Sequence, residues 1–360
     1  AAISPWPRVA SQAVADFALE NCKLGPEKYS HWLLREKHLR QRLADLTNAV
    51  SADDIALLKN TTEGICTVAH GIDWQPGDNL VLPVGEFPSN RLPWLALQGL
   101  GVEVREVDIR STDEPEKALL ENMDEHTRLL SVSAVQFADG LRLKLKTLGE
   151  ACSEQGVFFF VDAIQQLGAL QIDVQLCRID FLAADGHKWM LAPEGIAVFY
   201  CREGVREQLH TSQQGWHMVD EPYQFDRNSW TPSKTARRYE AGSPNTLGQA
   251  ALHASIGLLQ EVGMQNVEAN VKRNSFILSN GLAEIPGLEL VRAYDPKRAS
   301  GIVSFRSVNH DPAEFQQVLK SQGLSSTVRA NAIRLSPHFY QAGEPVLEML
   351  NVIEDAARIY

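Results

Sequence analysis

Three short, almost entirely apolar runs dominate the middle of the chain: Val157–Val161, Phe181–Ala184 and Ile196–Tyr200. Such runs are typical of strands covered by helices on both faces, as in a parallel sheet. The first run is followed by Asp162 and the second by Asp185–Lys188, with the sequence DGHK. Ligands of open α/β sheets bind outside the carboxyl ends of the strands. A carboxylate and a lysine at neighbouring strand ends suit a cofactor with one basic nitrogen and one carbonyl group.

Helical and extended patterns alternate through the first part of the chain. Apolar periodicity predicts helices at Arg8–Asn21, Pro26–Leu46, Ile65–His70, Pro88–Gln98 and Leu145–Gln155. Strands are predicted at Asn79–Val84, Val102–Asp108 and Leu129–Val135. This alternation predicts βαβ units and an α/β fold with a mainly parallel sheet.

The second part of the chain has a different character. Arg202–Gly242 is irregular and polar, which favours a functional or interface segment over a linker. Beyond it we predict helices at Thr246–Glu261, Val267–Leu282, Asp311–Gln322 and Glu344–Arg358, and strands at Ile302–Arg306 and Ile333–Ser336. We therefore expect a large domain over residues 15–250, and a smaller α+β domain from residues 1–14 and 251–360.

Composition and charge exclude several classes of protein. The net charge of −11 argues against a nucleic-acid or anionic-membrane surface. No apolar run approaches the roughly 18 residues of a membrane-spanning helix. The first residues lack the features of a signal peptide. The 5 cysteines are scattered and odd in number, which predicts reduced thiols in a cytoplasmic protein, without disulfides or a metal site.

Three features could carry chemistry, and each has a simpler explanation. Lys188 is followed by Trp189–Leu191, and desolvation there would make its amine a better Schiff-base nucleophile, although an isolated lysine is usually a solvated charge. Asp162 could cap a helix or keep a pyridine nitrogen protonated. Thr61 and Thr62 are first of all N-cap candidates, but a helix start with hydroxyl groups also suits a phosphate.

Five motifs together resemble a known family. They are TTEG at 61–64, VDAIQ at 161–165, DGHKW at 185–189, EAGSPNT at 240–246 and IRLSPHFY at 333–340. Their order and spacing resemble the class V aminotransferase-fold pyridoxal-phosphate enzymes, a group with cysteine desulfurases, selenocysteine lyases, isopenicillin epimerase-like proteins and kynureninases. The resemblance covers almost the whole chain. It implies the fold type I of pyridoxal-phosphate-dependent transferases, with a large domain and a smaller C-terminal domain.

The resemblance also implies how the cofactor, pyridoxal 5′-phosphate, is held. Lys188 would bind it as a Schiff base and then move the alpha proton of the substrate. Asp162 would pair with the ring nitrogen, and Gln165 would reach the ring hydroxyl oxygen. The phosphate would be bound by Thr61, Thr62 and His187, and by Ser243 of the other subunit. A homodimer with shared active sites follows from this last contact.

The substrate side of the site is implied in the same way. Arg334 matches the family arginine that binds the substrate carboxylate, and its planar fork can contact both oxygens. Arg329 is a second basic group nearby. We expect the substrate side-chain pocket to draw on Asn90, Trp216 and His217 and on residues of the second subunit.

Three positions depart from the family pattern. Ala134 stands where relatives present a histidine or other aromatic residue to the cofactor ring, and Ser133, Gln136 or Phe137 would have to compensate. The segment Gly323–Arg334 has no cysteine, whereas desulfurases carry a nucleophilic cysteine shortly before the arginine. Asp185 stands where many relatives have serine beside the phosphate. We expect its side chain to face away or to be bonded by backbone donors.

These observations predict a homodimeric enzyme acting on an amino acid, of lyase, epimerase-like or transaminase type, with persulfide-forming desulfuration disfavoured. A cofactor-binding homologue without turnover is one alternative, and a cysteine desulfurase or selenocysteine lyase is another. A nucleotide-dependent enzyme is disfavoured by the lack of a GxGxxG or Walker motif. The chain begins inside what resembles the family's first motif, so we expect residues before Ala1 to be missing.

Overall fold

A computed structural model describes residues 3–226, 228–341 and 343–359. Its helices are α1 Arg8–Leu24, α2 Tyr29–Thr47, α3 Thr61–Gly71, α4 Leu92–Leu95, α5 Pro115–Leu120, α6 Leu145–Gln155, α7 Glu203–Arg206, α8 Thr246–Val262, α9 Met264–Glu284, α10 Pro312–Ser321 and α11 Glu344–Ile359. Its strands are β1 Ile55–Leu58, β2 Asn79–Pro83, β3 Glu103–Val107, β4 Thr127–Ser133, β5 Phe158–Asp162, β6 Phe181–Asp185, β7 Ala197–Cys201, β8 Leu288–Leu290, β9 Val303–Ser307, β10 Thr327–Arg329 and β11 Ala332–Leu335.

The large sheet has 7 strands in the order β1-β7-β6-β5-β4-β2-β3. Strands β2 to β6 pair in parallel, so the predicted mainly parallel α/β sheet is confirmed. Strand β7, which we expected to be parallel like its neighbours, runs antiparallel to both β6 and β1. The reason is its short connection to β6, residues 186–196, because parallel neighbours need a crossover of a dozen or more residues.

Helices cover both faces of the large sheet, which explains why its strands β5, β6 and β7 are almost entirely apolar. Alternate residues of one strand enter different cores: Phe159 and Val161 pack on one face, and Phe160 on the other. The register places Asp162 beside Ser133 of β4 and Ala183 of β6. The polar residues that follow these strands therefore meet at one edge of the sheet.

The small sheet has 4 antiparallel strands in the order β10-β11-β9-β8. Its hydrophobic core includes residues of α9, α10 and α11. Strands β10 and β11 form a hairpin whose two loop residues, Ala330 and Asn331, both have positive φ. The pattern analysis missed β8 and β10, because three residues are too few to show a period. The predicted helix Pro88–Gln98 is instead α4 between two short 3-10 turns, with Pro93 at its start.

The chain start lies close to the large sheet. The backbone N–H of Ser4 donates to the carbonyl of His187 at 3.0 Å, and α1 packs against α8. The proposed division into residues 15–250 and the remainder stays a prediction. Among the described residues, no helix is both long and apolar enough to span a membrane, and the five cysteines are free.

Candidate active site

A cavity of about 330 Å³ lies at the carboxyl ends of β5 and β6, between the two sheets. It collects residues that are far apart in the sequence. Eight of the predicted site residues line it: Thr61, Thr62, Asp162, Gln165, His187, Lys188, Arg329 and Arg334. Four of the five motifs therefore contribute to one site, and the fifth, EAGSPNT at 240–246 with Ser243, does not line it.

The inner wall of the cavity carries Asp162 and Gln165. Oδ1 of Asp162 accepts the backbone N–H of Ile164 at 3.0 Å. Burial raises the pKa of Asp162, and the neighbouring Glu86 carboxyl adds to this effect. Gln165 Oε1 accepts the indole N–H of Trp189 at 3.1 Å, while its buried Nε2 has no partner among the described residues. A protonated ring nitrogen would stabilise the Asp162 carboxylate, and the free amide group of Gln165 can donate to a ring substituent.

One end of the cavity is formed by the start of α3. Asn60 caps this helix by accepting the N–H of Glu63 at 2.8 Å. Thr61 Oγ1 accepts the N–H of Asp185 at 3.0 Å, and Thr62 Oγ1 donates to Ser89 Oγ at 2.8 Å. The first N–H groups of a helix have no partner within it and attract anions. The helix-cap and phosphate-site interpretations are thus compatible, since Asn60 is the cap and leaves the threonines at the cavity.

Gly64 allows the start of α3 to approach β6 closely, and this gives a testable prediction. A Cβ atom at Gly64 would lie 2.8 Å from Cβ of Ala183. We expect Gly64→Ala to lower the free energy of unfolding by about 1–3 kcal/mol, as overpacking does, and to weaken cofactor binding. Urea unfolding and cofactor titration would measure both effects.

Gly99→Ala is the matched control, because a Cβ atom there meets nothing within 4 Å. Equal stability and equal cofactor affinity in the two variants would contradict the role of this close approach.

Asp185 and His187 lie side by side at the same end. Oδ1 of Asp185 is 3.0 Å from Nδ1 of His187, but neither atom has a hydrogen-bond partner of good geometry in the described part of the chain. Asp185 lines the cavity, where the turn after β6 brings the imidazole of His187 back to this carboxylate. The expectation that its side chain faces away from the phosphate or is bonded by backbone donors stays a prediction.

Lys188 is half-buried beside the aromatic ring of Phe87, with Nζ 5.6 Å from the ring centroid. Burial lowers the pKa of Lys188 to about 8. Arg334 and Arg329 lower the pKa further, while Asp162 and Asp185 oppose the shift. Part of the amine is therefore uncharged near neutral pH, which is the form that attacks an aldehyde.

The lowered pKa predicts how cofactor uptake depends on pH. About a tenth of the amine is uncharged at pH 7 and about half at pH 8. The rate at which apoprotein takes up pyridoxal phosphate should rise with pH and level off above pH 8, as followed by visible absorbance. A rate that keeps rising towards pH 10 would show that Lys188 has an ordinary pKa.

Arg334 projects from β11 into the cavity. Its Nη1 donates to the carbonyl of Phe137 at 2.7 Å, and its buried Nε has no partner among the described residues. Burial lowers the pKa of Arg334 to about 10, and the charge of Arg329 contributes. The guanidinium is therefore fixed, charged at neutral pH, and has donors left for a carboxylate.

Three predicted site residues do not line the cavity. Ala134 is fully buried, and its N–H donates to the carbonyl of Asp162. Asn90 is buried too, and its Oδ1 accepts from Ser131 and Trp94, so the predicted substrate contact is absent from the cavity wall. Ser243 is exposed on the protein surface.

The segment before Ser243 is held in place by hydrogen bonds to the side chain of Glu240. Glu240 accepts two hydrogen bonds from Arg40, at 2.5 and 2.8 Å, and one from the N–H of Leu57. His217 is buried beside this pair, with Nδ1 3.6 Å from the Glu240 carboxylate. Trp216 and His217 do not line the cavity, so the expected side-chain pocket lacks them in the single chain.

Glu86 is a site-region residue that the pattern analysis missed. Its buried carboxylate accepts from the N–H of Ser133 at 2.8 Å and from Gln136 Nε2 at 2.9 Å. Ser133 and Gln136 are thus occupied, and of the three residues proposed to compensate for Ala134 only Phe137 lines the cavity. Phe87 lines the cavity as well, and its ring meets that of Phe137 edge to face, with the two ring centroids 5.3 Å apart. The available sequence clue was the position of both residues directly after strand β2.

The cavity fits pyridoxal phosphate by its own chemistry. Among the described residues that line the cavity, four buried polar atoms have no hydrogen-bond partner: Gln165 Nε2, Asp185 Oδ1, His187 Nδ1 and Arg334 Nε. Buried polar groups normally have partners, so a polar molecule is expected here. The arrangement offers an amine for an aldehyde, a carboxylate for a ring nitrogen and a helix start for a phosphate.

Comparison with known proteins agrees with this chemistry. Residues 32–330 match the family description Aminotransferase class-V. A probable cysteine desulfurase of Methanothermobacter thermautotrophicus is 29% identical over 99% of this chain and 93% of its own length. The solved structures of C-DES share the fold, with a TM-score of 0.90 and 24% identity over 97% of this chain and 94% of theirs. One contains glycine covalently linked to the pyridoxal-phosphate cofactor. The other shows this cystine C–S lyase with its product cysteine persulfide.

The match and the site together define a class of enzyme, the pyridoxal-phosphate-dependent enzymes of fold type I. Within that class, the chain belongs to the aminotransferase class-V family. The resemblance drawn from the five motifs is confirmed. The roles of the individual residues stay predictions.

Proposed function

We propose that this enzyme cleaves the carbon–sulfur bond of a cysteine-derived amino acid. The leading expectation left lyase, epimerase-like and transaminase chemistry open and disfavoured desulfuration. The relatives support the alternative better, since two relatives that match over 99% of this chain are both probable cysteine desulfurases. The substrate class therefore follows the relatives, and the way in which sulfur leaves follows from the cavity.

The observation that carries the proposal is a cavity wall without a thiol. None of the described residues that line it is a cysteine. The hairpin of β10 and β11, which carries Arg334, has only the two loop residues Ala330 and Asn331 and contains no cysteine. Cys66 lies on α3 but does not line the cavity, and burial raises the pKa of its thiol. The described cavity wall therefore offers no cysteine thiol that could accept sulfur and become a persulfide. Sulfur instead leaves on the small molecule by β-elimination.

The chain's own residues support this reaction. Bound pyridoxal phosphate supplies an electron sink, which weakens the bonds to the substrate's α carbon. Asp162 stabilises the protonated ring nitrogen on which this depends. Arg334 binds the α-carboxylate and so orients the α C–H bond towards Lys188. The amine of Lys188 takes the α proton.

The bond changes balance as follows. The Cα–H and Cβ–S bonds break, Lys188 receives the proton, and sulfur leaves with the bonding electron pair. Water then releases the carbon skeleton as an α-keto acid and ammonia. Cystine and water would give pyruvate, ammonia and cysteine persulfide. No external oxidant or reductant is required.

We also propose that the active enzyme is a homodimer. Ser243 is exposed and does not line this subunit's cavity, while Glu240 and Arg40 fix the segment that carries it. Exposed aromatic side chains accompany it in the irregular segment, with Phe225 74%, Trp230 56% and Tyr223 48% exposed. Apolar patches of this kind usually mark protein interfaces. Light scattering of the holoenzyme should give twice the chain mass, and a single chain mass would contradict the dimer.

The products test the reaction type. The holoenzyme should convert cystine or an S-substituted cysteine into equal amounts of pyruvate and ammonia. Alanine as the product would instead establish the desulfurase reaction, which transfers sulfur to the protein. An amino-group transfer to an added keto acid without sulfur release would refute the proposal.

A further inference from the structure

The β10–β11 hairpin places two arginines on one face. Thr327 pairs with Arg334, and Arg329 with Ala332. Since side chains alternate between the faces of a strand, Arg329 and Arg334 lie on the same face as diagonal neighbours. The other face carries Val328 and Ile333, which pack into the core of the small sheet. Burial of this apolar face fixes the hairpin, so both arginines are held at the cavity, which they line.

The two arginines lack acidic partners. No salt bridge to either residue occurs within the described parts of the chain. Nη1 of Arg329 donates to the carbonyl of its neighbour Val328 at 2.8 Å. The charge of Arg329 also lowers the pKa of Arg334, which shows that the two cations repel each other. Like charges placed together favour a ligand that neutralises both.

The acidic residues that line the cavity do not neutralise the two arginines. Asp162 accepts from the N–H of Ile164 and lies on the inner wall. Asp185 is paired with His187 at the α3 end. If the α-carboxylate of the substrate binds Arg334, the positive charge of Arg329 still has no negative partner. Arg334 is the more deeply buried of the two, with 4% exposure, whereas Arg329 is half-buried and accessible from the cavity.

We propose that Arg329 is a specificity-determining residue that binds an anionic group on the substrate's side chain. This inference rests on the proposed function in that Arg334 binds the α-carboxylate. The substrate class is an α-amino acid with a second anionic group beyond the β position. Suitable groups are the distal carboxylate of a disulfide-linked or thioether-linked cysteine, a sulfinate or a thiosulfonate. Each can accept two hydrogen bonds from a guanidinium fork.

Matched ligand pairs test this in the holoenzyme without turnover. Each pair differs only in that one ligand has a side-chain carboxylate and the other the corresponding amide, and none has a carbon–sulfur bond to cleave: aspartate and asparagine, glutamate and glutamine, 2-aminoadipate and homoglutamine. The dissociation constant of each ligand is measured from the change in the cofactor's visible spectrum. We expect the enzyme to prefer the carboxylate in at least one pair by about tenfold or more, since a guanidinium forms stronger, charge-assisted hydrogen bonds with a carboxylate than with an amide.

The variant Arg329→Gln should remove this preference and leave the affinity for the amide ligands unchanged, while Arg329→Lys should restore part of it. Arg306→Gln is the control, because Arg306 donates to the carbonyl of Asn331 in the same hairpin but does not line the cavity. Equal affinities within all three pairs would overturn the inference. An equal loss for carboxylate and amide ligands in Arg329→Gln would do so too, because Arg329 would then bind the α-carboxylate. Because only binding is measured, failure of carbon–sulfur cleavage would leave this test intact.

Discussion

Replacing Lys188 with alanine should lower the rate of turnover by about 10³-fold or more. Lys188 is the amine at the cavity, and burial lowers its pKa. The variant loses both the covalent attachment of the cofactor and the base for the α proton, and a positioned general base alone contributes about 10²–10⁴-fold. Borohydride reduction should fix the cofactor to the parent protein, and peptide mapping should locate it on Lys188. In Lys188→Ala no fixation is expected.

The control for this variant is Lys146→Ala. Lys146 is an exposed residue of α6, paired with Glu150, so its loss should change neither the spectrum nor the rate. A Lys188→Ala protein that binds cofactor and turns over like the parent would refute the assignment. Exogenous methylamine should partly restore proton transfer in the variant, which separates loss of the base from misfolding.

Replacing Arg334 with glutamine should lower kcat/KM for every amino-acid substrate by roughly a hundredfold. Arg334 is buried, is held by the carbonyl of Phe137, and retains an unpartnered Nε. Loss of a charge-assisted hydrogen bond to the substrate carboxylate costs about 1.5–3 kcal/mol, and bidentate contacts are among the strongest. Steady-state kinetics over substrates with neutral and anionic side chains would measure the loss.

The conservative variant sharpens this prediction. Arg334→Lys keeps the charge but not the planar fork, so it should recover only part of kcat/KM. The loss in Arg334→Gln should be the same for neutral and anionic side chains, in contrast to the selective loss expected for Arg329→Gln. If the loss at Arg334 affected anionic substrates alone, the two arginines would have exchanged roles.

The sequence predicted the large sheet because its strands carry a strong local pattern. Val157–Val161 and Phe181–Ala184 are apolar at every position, and the sheet that contains them is covered on both faces. The direction of β7 could not be predicted in this way, since pairing depends on the length of the connection rather than on apolarity. The hairpin strand β10 depends on its pairing with β11, and its own three residues show no period.

The candidate site was predictable where a residue follows a strand or opens a helix. Asp162, His187 and Lys188 meet the start of α3 because the carboxyl ends of neighbouring strands share one edge. Glu86 and Phe87 follow β2 in the same way, but no motif drew attention to them. Asn90 does not line the cavity of the single chain, because a position next to the site does not determine which way a side chain turns, and its role in substrate binding stays a prediction. Ala134 is buried, and the aromatic rings that line the cavity belong to Phe87 and Phe137.

The measurement that tests the central claim most directly is the mass of the protein during turnover. The holoenzyme would be given excess cystine or an S-substituted cysteine, its thiols would be blocked with iodoacetamide within the reaction time, and its intact mass would be recorded beside the amount of sulfur released. With no cysteine in the cavity wall among the described residues, we predict a chain without added sulfur, while persulfide or thiol accumulates in solution together with pyruvate. A chain that gains one sulfur atom per active site, in step with alanine formation, would contradict the account.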